Sequence, residues 1–191
     1  SGPSKVRPEA IHALSSLARD YLGTSHRQVT VKDQVSRLRS GLSNLFDLPD
    51  GWEIILGNGG TTLFWDAASF SLIEYASQHL TFGEFSSKFA KVVHAAPHLA
   101  EPQIISSEPG THPMPVKSNV DSYALTHNET STGVLATLSR PSEDGLVLVD
   151  ATSAAGAILW NPSEVDCYYF APQKALASDG GLWFAACSPR A

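Results

Sequence analysis

The stretch YYFAPQKALASDGGLWF, residues 168–184, decides how the rest of the chain is read. Two tyrosines and a phenylalanine run into a single lysine, Lys174, and an Asp-Gly-Gly turn leads into a second apolar run. Aromatic runs bounded by Pro and Gly are strand and turn signals, so the segment reads as strand, tight loop and returning strand. Lysine is rarely buried, and burial favours its neutral, nucleophilic amine. An exposed loop lysine is the plainer reading of Lys174 alone. The tyrosine strand before it and the Gly-Gly turn after it weigh against that reading.

Upstream of this segment the chain alternates helix and strand signals. Residues 8–22 and 31–46 carry apolar residues at helical spacing, with the polar loop GTSHRQ between them. WEIILGNGGTT reads as a short strand ending in a glycine turn, followed by a helix over 61–76 that is apolar nearly all round and so expected to be buried. Strand HLTF, a helix over 84–95 and strand PQII follow, then the loop SSEPGTHPMPVKSN. Strands SYALTH, GLVLVD, CYYFA and LWFAAC close the chain. Strands alternate with helices early and crowd together late, which predicts an α/β domain with a mostly parallel sheet.

Composition narrows the function classes. The 191 residues suit one large domain with a real core, and 42% apolar with 17% charged residues is a globular composition. A net charge of -6 without a Lys/Arg run disfavours nucleic acid and anionic membranes as partners. No apolar stretch approaches the roughly 20 residues of a membrane helix, and the N-terminus lacks the basic-then-apolar order of a signal peptide. Cys167 and Cys187 do not make a disulfide framework, so a cytoplasmic setting is expected. No metal site is expected.

Three further segments carry chemistry alongside Lys174. In ILGNGGTTLFWDA, a strand, a glycine turn and a helix start would present free N–H groups to a phosphate, with hydroxyls from Thr61 and Thr62. This is neither a P-loop nor a good dinucleotide fingerprint, and a ligand-free turn is an equal reading on its own. In GLVLVDATSAAG, Asp150 ends an apolar strand, where open α/β sheets bind ligands, although a turn-capping Asp is the commoner case. In LTHNETSTG, Asn128 to Thr132 offer many donors and acceptors, though most such loops are simply polar. A phosphate cradle, a strand-end Asp and a later lysine are together the parts of a pyridoxal-phosphate site.

SGPSKVR, GTSHR, GNGGTT, TFGEFSSKF, HNETSTG, VDATSAAG and YYFAPQKALASDGGLW occur in the order seen in the phosphoserine aminotransferase family. The chain resembles the actinobacterial type of that family, which belongs to the fold-type-I, class V aminotransferases. The resemblance implies an aspartate aminotransferase-like large domain spanning residues 1–191, with a mostly parallel mixed sheet flanked by helices and an N-terminal arm over about residues 1–25. It implies that Lys174 forms the Schiff base and that Asp150 pairs with the pyridine nitrogen. Thr130 and Gln173 would bond the cofactor's 3-oxygen, and Gly60 and Thr61 would hold its phosphate. Phe82 would stack on the ring where many relatives have Trp, and other relatives carry Arg where Thr61 stands. His26 and Arg27 match the pair that reaches the substrate phosphate from the neighbouring subunit of a homodimer.

The implied activity is transamination between O-phospho-L-serine with 2-oxoglutarate and 3-phosphohydroxypyruvate with L-glutamate. That step belongs to serine and, in some bacteria, pyridoxine biosynthesis. The family continues past the lysine segment into a C-terminal small domain with substrate-binding arginines, and this chain stops at Ala191. It is therefore expected to be an N-terminal portion that is inactive alone. The rival readings are another class V enzyme of the alanine–glyoxylate type, a nucleotide-binding domain that uses GNGGTT without pyridoxal phosphate, and a catalytically inactive fragment.

Overall fold

The computed structural model describes residues 2–191. A seven-stranded sheet forms its centre. The first elements are α1 (Pro8–Ser16), α2 (Ala18–Tyr21), α3 (Val29–Leu45), β1 (Glu53–Asn58), α4 (Thr61–Ser71), β2 (Ser77–Thr81), α5 (Glu84–His94) and β3 (Gln103–Ser106). They are followed by β4 (Ser122–Thr126), β5 (Asn128–Glu129), β6 (Val134–Leu135), β7 (Leu146–Asp150), β8 (Cys167–Phe170) and β9 (Leu182–Cys187). Strand order is β1-β9-β8-β7-β4-β2-β3, and β5 and β6 form a separate two-stranded ribbon. Only β9 runs against its neighbours, so the sheet is mixed and mostly parallel.

The period-2 alternation of the central strands sorts side chains onto two faces. Val147, Val149, Tyr168 and Phe170 pack with Leu42 of α3 and Phe46 just past its end on one face. Leu148, Cys167 and Tyr169 pack with Phe64 and Trp65 of α4 and Phe89 of α5 on the other. Asp150 shares the parity of Leu148, so its carboxylate lies on the α4 side.

Three expected helices differ from what forms. The helix over 8–22 breaks at Leu17, where the Ser16 hydroxyl donates back to the His12 carbonyl at 2.9 Å and competes with the backbone ladder. Neither α1 nor α2 buries a residue that could hold the helix straight. The second helix starts at Val29, two residues early. The helix over 61–76 stops at Ser71, because the Asp121 carboxylate takes the N–H groups of Glu74, Tyr75 and Ala76 at 2.7–3.1 Å. That helix is also not buried all round, since Leu63 and Phe70 are exposed. No helix among the described residues is long and apolar enough to cross a membrane.

Candidate active site

The loops after β1, β4, β7 and β8 leave the same edge of the sheet, because those strands are parallel. A cleft opens there, lined by Thr61, Asn128, Thr130, Asp150 and Lys174 among others. Four separately quoted segments thus supply one site.

The β1–α4 turn supplies one wall. Gly59 takes a φ of 85° and donates its N–H to the Gly181 carbonyl at 2.8 Å, which ties this turn to the loop carrying Lys174. Gly60 is the N-cap of α4 and brings no side chain to it. A Cβ on Gly60 would meet open space. The Leu63 N–H turns back to the Gly60 carbonyl at 2.9 Å, whereas Thr61 and Thr62, which line the cleft, have no carbonyl one turn behind them for their N–H groups. The Thr61 hydroxyl accepts from Thr152 at 3.0 Å.

Asp150 closes the floor. It is nearly fully buried and accepts the Thr152 N–H at 2.9 Å. Burial pushes its carboxyl above the ordinary value of 3.8, Thr152 pulls it down, and the charge of Glu129 adds to the rise. Tyr169 is its register partner on β8, and the nearby phenol adds a small lowering influence on the carboxyl. The indole N–H of Trp65 donates to the Tyr169 hydroxyl at 3.0 Å, and the Phe64 ring stacks on Tyr169 at 4.0 Å. A buried carboxylate with so few donors favours a cationic partner.

Lys174 is half-buried on the β8–β9 loop. That loop is shaped by bonds from Ala177 N–H to the Lys174 carbonyl and from Ser178 N–H to the Pro172 carbonyl. Among the described residues, no carboxylate lies within ion-pair distance of Lys174. Beside it, Gln173 leaves its buried Oε1 without a hydrogen-bond partner, an orphan that a ligand donor would satisfy. The Thr130 hydroxyl donates to Ser153 at 2.9 Å, and Asn128 Nδ2 donates to the same oxygen at 2.7 Å.

Phe82, His26 and Arg27 do not line this cleft. Phe82 is buried, its ring tilted against His112 at 6.2 Å between ring centres. His26 and Arg27 are exposed in the turn between α2 and α3. Two aromatic side chains that do line the cleft were missed. Trp65, one turn beyond Thr61, carries only a core signal in sequence, and Phe85 lies in the first turn of α5. Thr152 and Ser153 were missed as well, although their place two and three residues past a strand-end Asp is a usable signal.

No family model matches the chain. It is 58% identical over its whole length to a phosphoserine aminotransferase from a Nocardioides species and 55% identical to one from Rhodococcus opacus. Over its whole length the chain is similar to phosphoserine aminotransferases. It covers 52% of each of these proteins, so it spans about half the length of the relatives it matches. Among solved structures, a phosphoserine aminotransferase from Cytophaga hutchinsonii matches with a TM-score of 0.91 at 24% identity, over 99% of this chain and 55% of that one. A pyridoxal-phosphate-bound phosphoserine aminotransferase from Trichomonas vaginalis matches with a TM-score of 0.83 at 18% identity, over 98% and 60%. Both show the fold, which is that of the pyridoxal-phosphate-dependent aminotransferases.

Proposed function

We propose that the protein to which these residues belong transaminates O-phospho-L-serine with 2-oxoglutarate, using pyridoxal phosphate, as a homodimer whose subunits share each active site. The observation that carries this reading is the meeting of Lys174, Asp150 and the uncapped start of α4 in one cleft. The cleft suits the cofactor on its own chemistry. The α4 terminus needs an anion, the buried Asp150 carboxylate needs a cation, and the Gln173 oxygen needs a donor.

Bound pyridoxal phosphate supplies a carbonyl for exchange of the amino group and an electron sink for the substrate α-carbon. The chain's own residues do the rest. Gly60, Thr61 and Thr62 hold the phosphate with first-turn N–H and hydroxyl groups. Asp150 holds a proton on the ring nitrogen, and Thr152 holds Asp150. Thr130 and Gln173 bond the ring oxygen. The Lys174 amine is the covalent anchor and then moves the proton at the substrate α-carbon, as base and acid in turn. His26 and Arg27 reach the substrate phosphate in the other subunit's site, where an arginine fork suits a phosphate. Residues 1–191 form the cofactor-binding large domain in this reading.

Borohydride reduction in the presence of pyridoxal phosphate tests the anchor. Peptide mapping should place a stoichiometric adduct on Lys174, and an adduct on Lys88 or Lys117 instead would overturn it. Arg27→Ala in the full-length protein tests the substrate. KM for phosphoserine should rise about 10- to 100-fold, the worth of a charge-assisted contact. The slow reaction with alanine should not change. Equal losses on both substrates would favour an aminotransferase for unphosphorylated amino acids.

A further inference from the structure

The reading above leaves one reactive pair unused. Cys167 opens β8 and Cys187 closes β9, at the sheet edge opposite the cleft. The two are register partners on these antiparallel strands. Ser188 donates its N–H to the Asp166 carbonyl at 2.7 Å, while the Tyr169 carbonyl turns away from β9 to accept from Ala151. Cys167 and Cys187 are therefore a non-hydrogen-bonded pair, the kind in which facing Cα atoms lie about 4.5 Å apart and side chains come closest. A disulfide spans Cα separations of about 4.4–6.8 Å. The two sulfurs stand 3.7 Å apart as free thiols. Cys167 is fully buried and Cys187 is partly exposed.

We propose that Cys167 and Cys187 are a peroxide-oxidisable dithiol that closes into a cross-strand disulfide, locking the base of the hairpin whose far end carries Lys174. The two sulfurs have different roles. The hydrogen bond from Cys167 lowers the Cys187 thiol, and the same bond together with burial raises Cys167. Cys187 is thus both the more accessible sulfur and the readier thiolate. Its sulfur attacks a peroxide oxygen, the O–O bond breaks, and the departing hydroxide takes a proton to leave as water. Cys187 is left as a sulfenic acid. The Cys167 sulfur then attacks Cys187 Sγ. The S–S bond forms, the S–O bond breaks, and the hydroxyl leaves with the Cys167 proton as a second water. Two thiols lose two electrons and one peroxide gains them.

The lock acts on the site indirectly. Both strands that frame the lysine loop are tied at the edge away from it, so the loop keeps its freedom while the strands cannot separate. The test uses the native protein, reduced, freed of reductant and exposed to hydrogen peroxide at neutral pH. Remaining thiols are alkylated, and the protein is digested without reductant. One cross-linked pair carrying Cys167 and Cys187 is expected, two hydrogens lighter than the reduced peptides and reversible by dithiothreitol. The thermal midpoint should rise by roughly 5–10 °C on oxidation. Cys167→Ser should leave a sulfenic acid on Cys187 that dimedone traps, and Cys187→Ser should leave Cys167 unmodified. Full alkylation of both cysteines after peroxide, or cross-linking of Cys187 to any other thiol, would overturn the proposal. An unchanged midpoint in a cross-linked sample would overturn the lock.

Discussion

Helices α4 and α5 both start at a glycine on the carboxyl edge of the same sheet, yet their N-termini end up in opposite states. At α5, Glu84 donates its N–H to the Ser131 hydroxyl, and Phe85 and Ser86 donate theirs to the Glu129 carboxylate. Gly83 is needed there because a Cβ would fall 2.3 Å from Glu129 Cγ. At α4, no carboxylate comes back, and Gly60 faces open space. One terminus is filled by the chain's own anion and the other is left for an anion from outside. The difference shows why a helix start identifies a ligand site only once the neighbouring loops are in place.

The two carboxylates carry the same contrast. Burial alone would raise Glu129, but the bonds from Ser86 and Ser131 outweigh it and hold the group below its ordinary range. Asp150 has fewer donors and stays above its ordinary range. Ionised Glu129 therefore stabilises the fold, and ionised Asp150 costs it stability until a cation arrives.

The contrast breaks most sharply if α4 is given its own carboxylate. Gly60→Asp should weaken retention of pyridoxal phosphate roughly 1,000-fold, since two like charges about 4 Å apart repel by about 4 kcal/mol at the effective dielectric of a protein surface. The chain itself should gain a few tenths of a kcal/mol from the new cap. Equilibrium dialysis and urea unfolding measure the two effects, and unchanged cofactor affinity would mean that the phosphate is held elsewhere.

Asp150→Asn separates the roles of the floor. Turnover of the full-length enzyme should fall on the order of 100- to 1,000-fold, because an amide cannot hold a proton on the ring nitrogen as charge develops. The cofactor-free chain should become more stable at neutral pH. A group with a raised folded pKa destabilises the fold once pH has risen through that value, and the amide has no such penalty. Near-normal turnover, or a less stable cofactor-free chain, would contradict the assignment.

The smallest expected effect is at the filled terminus. Glu129→Gln should cost about 1–3 kcal/mol at pH 7, the worth of charge-assisted bonds to buried N–H groups. Its folded pKa is depressed, so the contribution is complete above the ordinary value of 4.5 and is lost as pH falls through the lower folded value. Denaturation curves should show the gap between native and variant closing in acid. A gap that stays constant with pH would mean that the charge plays no part.

The motif segments were legible to different depths. Lys174, Asp150 and the GNGGTT turn were legible as strand-end features because strand, turn and helix-start signals are local, and the structure places each at or beyond the carboxyl end of a strand. Glu129 appeared only as one member of a polar loop, since its partners on α5 are 43 or more residues away in sequence. Trp65 looked like core because the indole that packs the sheet also bonds Tyr169 and borders the cleft. The helix expected over 61–76 was too long because its stop is a carboxylate at Asp121, roughly fifty residues on.

Local pattern alone determined which segments are strands and helices, which faces are apolar and which residue types could carry amine, carboxylate and phosphate chemistry. Those depend on period, turn residues and composition within a few neighbours. Only the tertiary structure decided that four such segments meet at one sheet edge, that α4 stays open while α5 is capped, and that Cys167 faces Cys187. The parallel strands fix which loops share an edge, and register fixes which side chains face across it. Neither can be read from a single segment, because each is settled by hydrogen bonding between strands far apart in the chain.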